Sequence, residues 1–380
     1  LRSGDGIRRA TMDLADLILK VRAFQKSSNY GRCAWNFYCD CHGHGVRDPR
    51  RHSTEFLEAF FKAEEGGDLD GVEEWKDPEQ TLRCKVEVPL PQVSEEEVEA
   101  ARARMIQVNA GSWMELCQSF PRCWQDIYKT PAKLRFDPQK YDFLTLLRDM
   151  LDCPPDVPLE KLHEVERSED FEPCPPLQLG MTLAGLSFTS RKKNQYRSQW
   201  RSNKARADLL QLYRRFLDDE ILPMLAEAAN EGGFCAAVQS EPVIRVAMPG
   251  HQATKAHRDQ HYGHICEEIN FWLPITNVAG SNSLFAESFP GRQDFKAFEG
   301  ENGVIFRWWG NLCEHYAEPN CSGSTRVSLD FRLVPGHFWA AAVASGSVTQ
   351  AERQRRHHHG GSMSIGSYYS WLSMIEKGSG

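Results

Sequence analysis

The stretch Ser324-Thr-Arg-Val-Ser-Leu-Asp-Phe-Arg332 alternates in polarity and decides how this part of the chain folds. Successive side chains of a β-strand point to opposite faces, so every second residue shares a face. One face carries Thr, Val, Leu and Phe, and the other carries Arg326, Ser328, Asp330 and Arg332. The first face predicts packing in a core. The wholly polar face predicts a bound group, because the planar fork of arginine pairs bidentately with a carboxylate.

Metal-ligand residues precede this strand in the order H-x-D and then a distant H. They are His257, Asp259 and His315, and the last follows the apolar segment Val304–Trp308. On a strand, His257 and Asp259 would face one side while Arg258 points away. Two imidazoles and a carboxylate can cover one face of Fe(II), whereas a closed thiolate cage would suit structural zinc. These three residues are therefore the predicted metal ligands.

The segment from about residue 240 to residue 335 resembles the Fe(II)/2-oxoglutarate-dependent dioxygenases. The closer likeness is to the phytanoyl-CoA dioxygenase-like superfamily, in the branch that includes streptomycin-biosynthesis-type hydroxylases. Besides the metal-ligand pattern, the resemblance rests on the runs Glu268–Thr276, Gly280–Leu284 and Glu287–Gly291. It implies an oxygenase whose cofactors are Fe(II) and 2-oxoglutarate, and a double-stranded β-helix as the catalytic core.

The resemblance also implies roles for individual residues. Iron would be bound by the two histidines and Asp259, and the family's halogenases have Gly or Ala in place of that carboxylate. Arg326 lies eleven residues beyond His315 and would hold the far carboxylate of 2-oxoglutarate, with Ser328 adding a hydrogen bond. Asn270 would be a further contact to 2-oxoglutarate. The implied reaction uses O2 to hydroxylate a small molecule, with release of succinate and CO2.

Alternatives remain open at this stage. Arg332 shares a strand face with Arg326 and could replace it as the clamp. His261 and His264 lie close enough to compete as ligands, but they lack an H-x-D frame and are expected to surround the site. The competing functions are a non-catalytic binding or scaffold protein on the same barrel and a metal-dependent cupin-type isomerase.

Two further clusters have ordinary interpretations that we prefer. Cys39, Cys41, His42 and His44 have metal-ligand composition but no C-x-x-C pair, so a Gly-rich turn is expected there. A basic run with aromatic residues between the charges, from about residue 191 to residue 206, is expected to be a solvated helix entry.

The order of hydrophobic patterns predicts an α+β protein with a largely helical N-terminal half. We expect a mostly helical region over residues 1–175, the double-stranded β-helix over 176–340 and a flexible tail over 341–380. Helix signals include Asp13–Lys26, a capping box at Ser94 and a long helix from about Asn203 to Asn230. The tail includes His357-His-His359, and a docked segment is expected around Tyr368–Ile375.

Composition limits the function classes. The chain has 380 residues and a net charge of −7, which argues against a protein built to neutralise nucleic-acid phosphates. No apolar run approaches the roughly 20 residues needed to span a bilayer. The 12 scattered cysteines are typical of a reduced, cytoplasmic setting. The chain begins with Leu1, which indicates a piece of a longer product.

Overall fold

The computed structural model of the chain contains two compact units. One unit comprises Leu1–Leu82 with Arg191–Ser202, and the other comprises Arg83–Ser190 with Asn203–Gly380. The residues that the structure describes are 13–42, 48–67, 69, 90–168, 171, 173–186, 204–230, 233–351, 364–366 and 368–374.

The first unit is helical and packs around aromatic side chains. Its helices are α1 (Leu14–Ser27), α2 (Asn29–His42) and α3 (Thr54–Gly66). The α1 N-terminus is capped by Asp13, whose side chain accepts a hydrogen bond from the Asp16 amide. Trp35 is fully buried and meets the Phe60 ring edge-on at 4.9 Å between centroids. Burial of large aromatic surfaces is the main stabilising contribution in so small a unit.

The second unit combines helices with antiparallel sheet. The helices are α4 (Glu95–Ala110), α5 (Trp113–Gln118), α6 (Arg122–Lys129), α7 (Phe143–Met150), α8 (Pro175–Leu183), α9 (Lys204–Phe216), α10 (Leu222–Ala229) and α11 (Gly336–Ser345). Ser94 and Glu97 form the predicted capping box of α4. The predicted long helix is present as α9 and α10, joined by the π-helical turn Leu217–Ile221. Pro223 follows that turn, and proline cannot donate the helical hydrogen bond expected there.

The strands form two sheets. They are β1 (Ala132–Arg135), β2 (Cys235–Gln239), β3 (Val243–Ala247), β4 (Ile269–Pro274), β5 (Phe285–Ala286), β6 (Lys296–Ala297), β7 (Val304–Trp308), β8 (His315–Tyr316), β9 (Arg326–Pro335) and β10 (Tyr369–Ser373). The larger sheet has the order β1-β7-β4-β9-β2-β10, and β3 also pairs with β9. The smaller sheet has the order β6-β5-β8.

Strand β9 is the longest and a central strand of the larger sheet. It pairs along one side with β4 and along the other with β2 and β3, always antiparallel. All ten of its residues are buried, including the polar face that the sequence predicted. The predicted strand Val304–Trp308 is confirmed as β7, and the predicted last strand is displaced by one residue. Mixed helix and antiparallel sheet is therefore the observed architecture.

Three segments differ from the sequence analysis. Pro175–Leu183 is a helix, although strands were expected from about residue 177. Ala132–Arg135 is a strand inside the half expected to be helical, because it pairs with the exposed edge of β7. A flexible tail was expected from residue 341, but a helix extends into that region. Gly336–Ser345 is apolar on nearly all sides and forms a largely buried helix, so its pattern lacks the usual helical period.

The described units divide near residue 82, and helices α4 to α8 belong with the sheets rather than with α1 to α3. The boundaries at residues 175 and 340 stay predictions. Residues 191–203 of the basic run, Cys41 and His44, and the His357–His359 tract lie outside the residues whose side chains are described. The expected docked segment is confirmed as β10, which pairs with β2. Among the described helices, none combines the length and apolarity needed to cross a membrane.

Candidate metal centre

The three predicted metal ligands come together, and they do so on the smaller sheet. His315 lies on β8, and His257 extends the sheet through a two-residue antiparallel bridge to it. The backbone bonds of this bridge measure 3.1 Å and 3.0 Å. Asp259 begins a 3₁₀ turn, so the H-x-D run lies at the junction of a bridge and a turn rather than within a regular strand.

Both histidines are oriented by backbone carbonyl groups. The Nδ1 atom of His257 lies 2.8 Å from the Lys255 carbonyl, and that of His315 lies 3.0 Å from the Cys313 carbonyl. A carbonyl can only accept, so each Nδ1 carries the proton and each Nε2 keeps its lone pair. In this tautomer Nε2 is free to bind a metal. Hydrogen bonds from the other ring nitrogen to a carbonyl group commonly fix the tautomer of metal-binding histidines.

The ligand atoms converge on one point. Suitable atoms of His257, Asp259 and His315 all lie within 4.8 Å of one another. Asp259 Oδ1 is 3.4 Å from His257 Nε2 and 3.7 Å from His315 Nε2. Metal bonds of about 2.1 Å at right angles would require separations of about 3.0 Å. The two carboxylate–histidine separations exceed that value by about 0.4 Å and about 0.7 Å, and the donor types suit a divalent metal once the side chains close by these amounts.

The protonation states also suit a metal. Burial lowers the pKa of His315 to about 4, although the nearby Asp259 opposes this shift. Burial alone would raise the pKa of Asp259, but Arg332 and His257 outweigh it and hold that pKa well below its usual range. At neutral pH His315 is therefore neutral and Asp259 is ionised, as metal ligands must be.

The other oxygen of Asp259 accepts hydrogen bonds from residues of the larger sheet. Its Oδ2 accepts hydrogen bonds of 2.7 Å from Asn270 on β4 and 2.7 Å from Arg332 on β9. Asn270, expected at the co-substrate, thus contacts a metal ligand. Arg332, weighed as an alternative clamp, does the same. The ion pair of Arg332 with Asp259 joins residues 73 positions apart. The only sign of it in the sequence is that Arg332 lies on the polar face of its strand.

Arg326 has different surroundings. It is 1% exposed, and its Nη1 donates to the carbonyls of Asn282 and Ser283 at 3.0 Å and 2.9 Å. Its Nε is buried without a hydrogen-bond partner, and among the described residues no carboxylate forms an ion pair with it. Burial and the Arg245 cation lower the pKa of Arg326 to about 10. A buried cation that lacks an anion is a strong site for one.

Other buried polar atoms near Arg326 also lack partners. They are the hydroxyls of Ser283 and Ser328 and both ring nitrogens of His251. Ser283 lies three residues before Ala286, which pairs with His315. A chain advances at most about 3.6 Å per residue, so Ser283 and Ala286 are no more than about 11 Å apart. The segment that accepts the hydrogen bonds of Arg326 therefore leads directly into the strand that pairs with a predicted metal ligand.

The remaining histidines are separate from the ligand set. His261 is exposed on the turn that Asp259 begins, and His264 is buried with Nδ1 2.7 Å from Glu268. His264 also lines a small cavity beside α4. In the first unit, Cys39 Sγ and His52 Nε2 are 3.9 Å apart. Among the described residues, the only metal-type cluster is that of His257, Asp259 and His315.

Comparison with known proteins gives a partial relative. No protein-family model matches the chain. The streptomycin biosynthesis protein StrG of Streptomyces griseus is 32% identical over 133 residues, covering 32% of this chain and 62% of that protein. The chain thus spans less than two thirds of the length of this relative.

Two solved structures have weak similarity. A non-heme monooxygenase, the ThoJ-Ni complex, has 14% identity and a TM-score of 0.26, with 32% of this chain and 53% of that chain covered. AviO1 from Streptomyces viridochromogenes Tue57 has 13% identity and a TM-score of 0.29, with 55% and 90% covered. Scores this low do not establish a shared fold, and the interpretation of the site does not depend on them.

Proposed function

We propose that the protein is an Fe(II)- and 2-oxoglutarate-dependent dioxygenase that hydroxylates a small molecule, with a double-stranded β-helix as its core. The observation that carries the proposal is the pairing of a two-histidine, one-carboxylate cluster with a buried arginine that lacks an anionic partner. The first group suits Fe(II), and the second suits the far end of a dicarboxylate. A metal-only isomerase would have no use for the second.

The ion pairs of the buried face support an anionic co-substrate. Arg245 pairs with Asp330 at 2.5 Å, and Arg332 pairs with Asp259. Arg326 has no such carboxylate partner among the described residues, so a bound carboxylate such as that of 2-oxoglutarate would supply the missing anion.

Each residue of the site has a role in this reaction. His257, Asp259 and His315 would hold the metal, and Arg326 and Ser328 would bind the far carboxylate of 2-oxoglutarate. When bound, iron and 2-oxoglutarate supply O2 activation, with succinate and CO2 as products. The protein orients these groups and excludes water, since the walls are the buried rings of Trp272 and Trp308.

Asn270 has one atom left for a ligand. Its amide nitrogen donates to Asp259, so its oxygen, which is buried without a partner, faces away. An amide oxygen only accepts hydrogen bonds, and a carboxylate cannot donate one. A role for Asn270 in contacting 2-oxoglutarate stays a prediction, and this polarity favours a hydroxyl or amine instead.

The metal and co-substrate can be tested together by absorption spectroscopy under anaerobic conditions. The wild-type protein with Fe(II) and 2-oxoglutarate should develop a weak visible charge-transfer band. His257→Ala and His315→Ala should abolish it. His261→Ala is the matched control, because His261 lies on the same turn but is exposed, and it should keep the band.

The alternatives predict different results. Absence of the band in metal-replete wild-type protein would rule out the proposal. A cupin-type isomerase would bind the metal but show no dependence on 2-oxoglutarate. A scaffold protein would release no succinate above background, with or without Arg326→Ala. The small-molecule substrate, suggested by the biosynthetic name of the relative, can be sought by screening succinate release over a metabolite panel.

A further inference from the structure

The two oxygens of Asp259 have separate tasks. Oδ1 faces the two histidine Nε2 atoms, and Oδ2 is bound by Asn270 Nδ2 and Arg332 Nε, each at 2.7 Å. These two short bonds, one from an amide and one charge-assisted, use both lone pairs of Oδ2. Asp259 is therefore oriented to offer a metal one oxygen rather than two.

Arg332 is itself held in place by a residue of β2 and by Tyr368, which directly precedes β10. Its Nη1 donates to Gln239 Oε1 at 3.1 Å and to the Tyr368 hydroxyl at 3.3 Å. Gln239 lies on β2, directly opposite Tyr369 of β10. The two groups that fix the outer end of the guanidinium thus come from neighbouring positions of one strand pair.

Strand β10 begins directly after Tyr368 and is firmly attached. It pairs with β2 over five residues, and the Tyr369 hydroxyl donates to Glu268 Oε1 at 3.0 Å in a buried contact. Glu268 also accepts a contact from His264, which lies on the segment that follows the Asp259 turn. Tyr369 is 0% exposed. The paired strand therefore fixes the position of Tyr368 beside Arg332.

We propose that Tyr368 is a positioning residue of the metal centre, which acts on Asp259 through Arg332. The hydroxyl fixes the guanidinium, the guanidinium with Asn270 fixes Oδ2, and the remaining oxygen is presented to the metal. Contacts of this outer kind commonly change metal affinity by 10–100-fold. The turn residue that leads into β10 thus supports the metal site. The inference rests on the metal site proposed above.

Titration with Co(II), followed by its visible absorption, tests this proposal without 2-oxoglutarate or O2. Tyr368→Phe should weaken Co(II) binding by about 10-fold, because it removes only the hydroxyl that holds Arg332. Ser370→Ala is the matched control. It removes a hydroxyl from the same strand, one bonded to Ser240 at 2.9 Å, and should leave the affinity within twofold.

A double-mutant cycle separates positioning from a general effect on folding. If Tyr368 acts through Arg332, Tyr368→Phe should change Co(II) affinity little once Arg332→Met is present. Additive effects in the cycle, or equal affinities of Tyr368→Phe and Ser370→Ala, would overturn the inference. Failure of the wild-type protein to bind Co(II) would instead overturn the metal site itself. The two failures are therefore distinguishable.

Discussion

The two arginines of β9, Arg326 at its start and Arg332 near its end, share one buried face but have opposite surroundings. Arg332 is bound by Asp259, Gln239 and Tyr368. Burial alone would lower its pKa, but nearby anionic groups, Asp259 above all, raise that pKa well above the usual value. Arg326 has two backbone carbonyls and no carboxylate, and its pKa falls to about 10.

On the proposed function, the difference separates a structural cation from one that binds the co-substrate. Arg332 completes an ion pair within the chain, so its removal leaves an unpaired buried anion. Arg326 is left with a charge that the described residues do not neutralise, so its removal takes away an electrostatic cost along with a binding group. Residue type and strand face are identical for the two, and only the partners distinguish them.

The largest difference between the two arginines is expected in the stability of their variants. Arg332→Met should lower the free energy of unfolding of the metal-free protein by about 3–5 kcal/mol, because Asp259 is then buried without its cation. Arg326→Met should change it by less than about 1 kcal/mol. Urea denaturation of both variants measures the difference. Equal losses would contradict the division of roles.

For 2-oxoglutarate binding, we expect Arg326 to matter more than Arg332. Arg326→Met should weaken 2-oxoglutarate binding by about 30-fold or more, since loss of a buried charge-assisted contact costs at least about 2 kcal/mol. Its affinity for Co(II) should stay within twofold of wild type. Anaerobic calorimetry of the metal-loaded protein measures both. Unchanged 2-oxoglutarate affinity would remove Arg326 from the site.

A smaller loss of stability is expected from a substitution that disturbs only the surroundings of Arg332 and Asp259. A β-carbon on Gly310 would lie 2.6 Å from Trp308 Nε1 and 2.7 Å from Asn270 Cγ. Gly310→Ala should therefore displace Asn270 from Asp259 and lower the free energy of unfolding by about 1–3 kcal/mol. Thermal unfolding of Gly310→Ala beside Gly323→Ala is the measurement. Gly323 has open space around it and should tolerate the change.

The smallest effect concerns the Arg326 end. Ser328 Oγ is buried without a partner, so Ser328→Ala should leave the stability of the ligand-free protein nearly unchanged. If the hydroxyl binds 2-oxoglutarate, the affinity should fall roughly two- to tenfold, the worth of one hydrogen bond. Calorimetry with 2-oxoglutarate checks this, and an unaltered affinity would show that Ser328 only lines the space.

Local patterns predicted the parts of the fold and site that depend on neighbouring residues. Alternation predicted β9, an apolar run between turn residues predicted β7, and the H-x-D pattern with a distant His predicted the three residues that lie together as the candidate metal cluster. The capping box at Ser94 located the start of α4. Each of these signals is contained in a short segment of the sequence, or comes directly after a strand that the sequence pattern predicts.

Partnerships across long separations were not predictable. The contact of Tyr368 with Arg332 and that of Arg332 with Asp259 depend on which strands become neighbours, and no short pattern encodes that order. The helix Gly336–Ser345 was missed for another reason. Its apolar residues surround the axis, so burial on all sides erased the periodicity that normally reveals a helix.

The continuity of β9 has a consequence for the length of the co-substrate. Arg332 binds Asp259, and on the proposed function Arg326 binds the far carboxylate of the co-substrate. Both arginines belong to one ten-residue strand that is paired on both sides, so the backbone fixes the separation of their Cα atoms. On the proposed function, this separation selects the length of the co-substrate, and a keto diacid with one carbon fewer or more should bind more weakly.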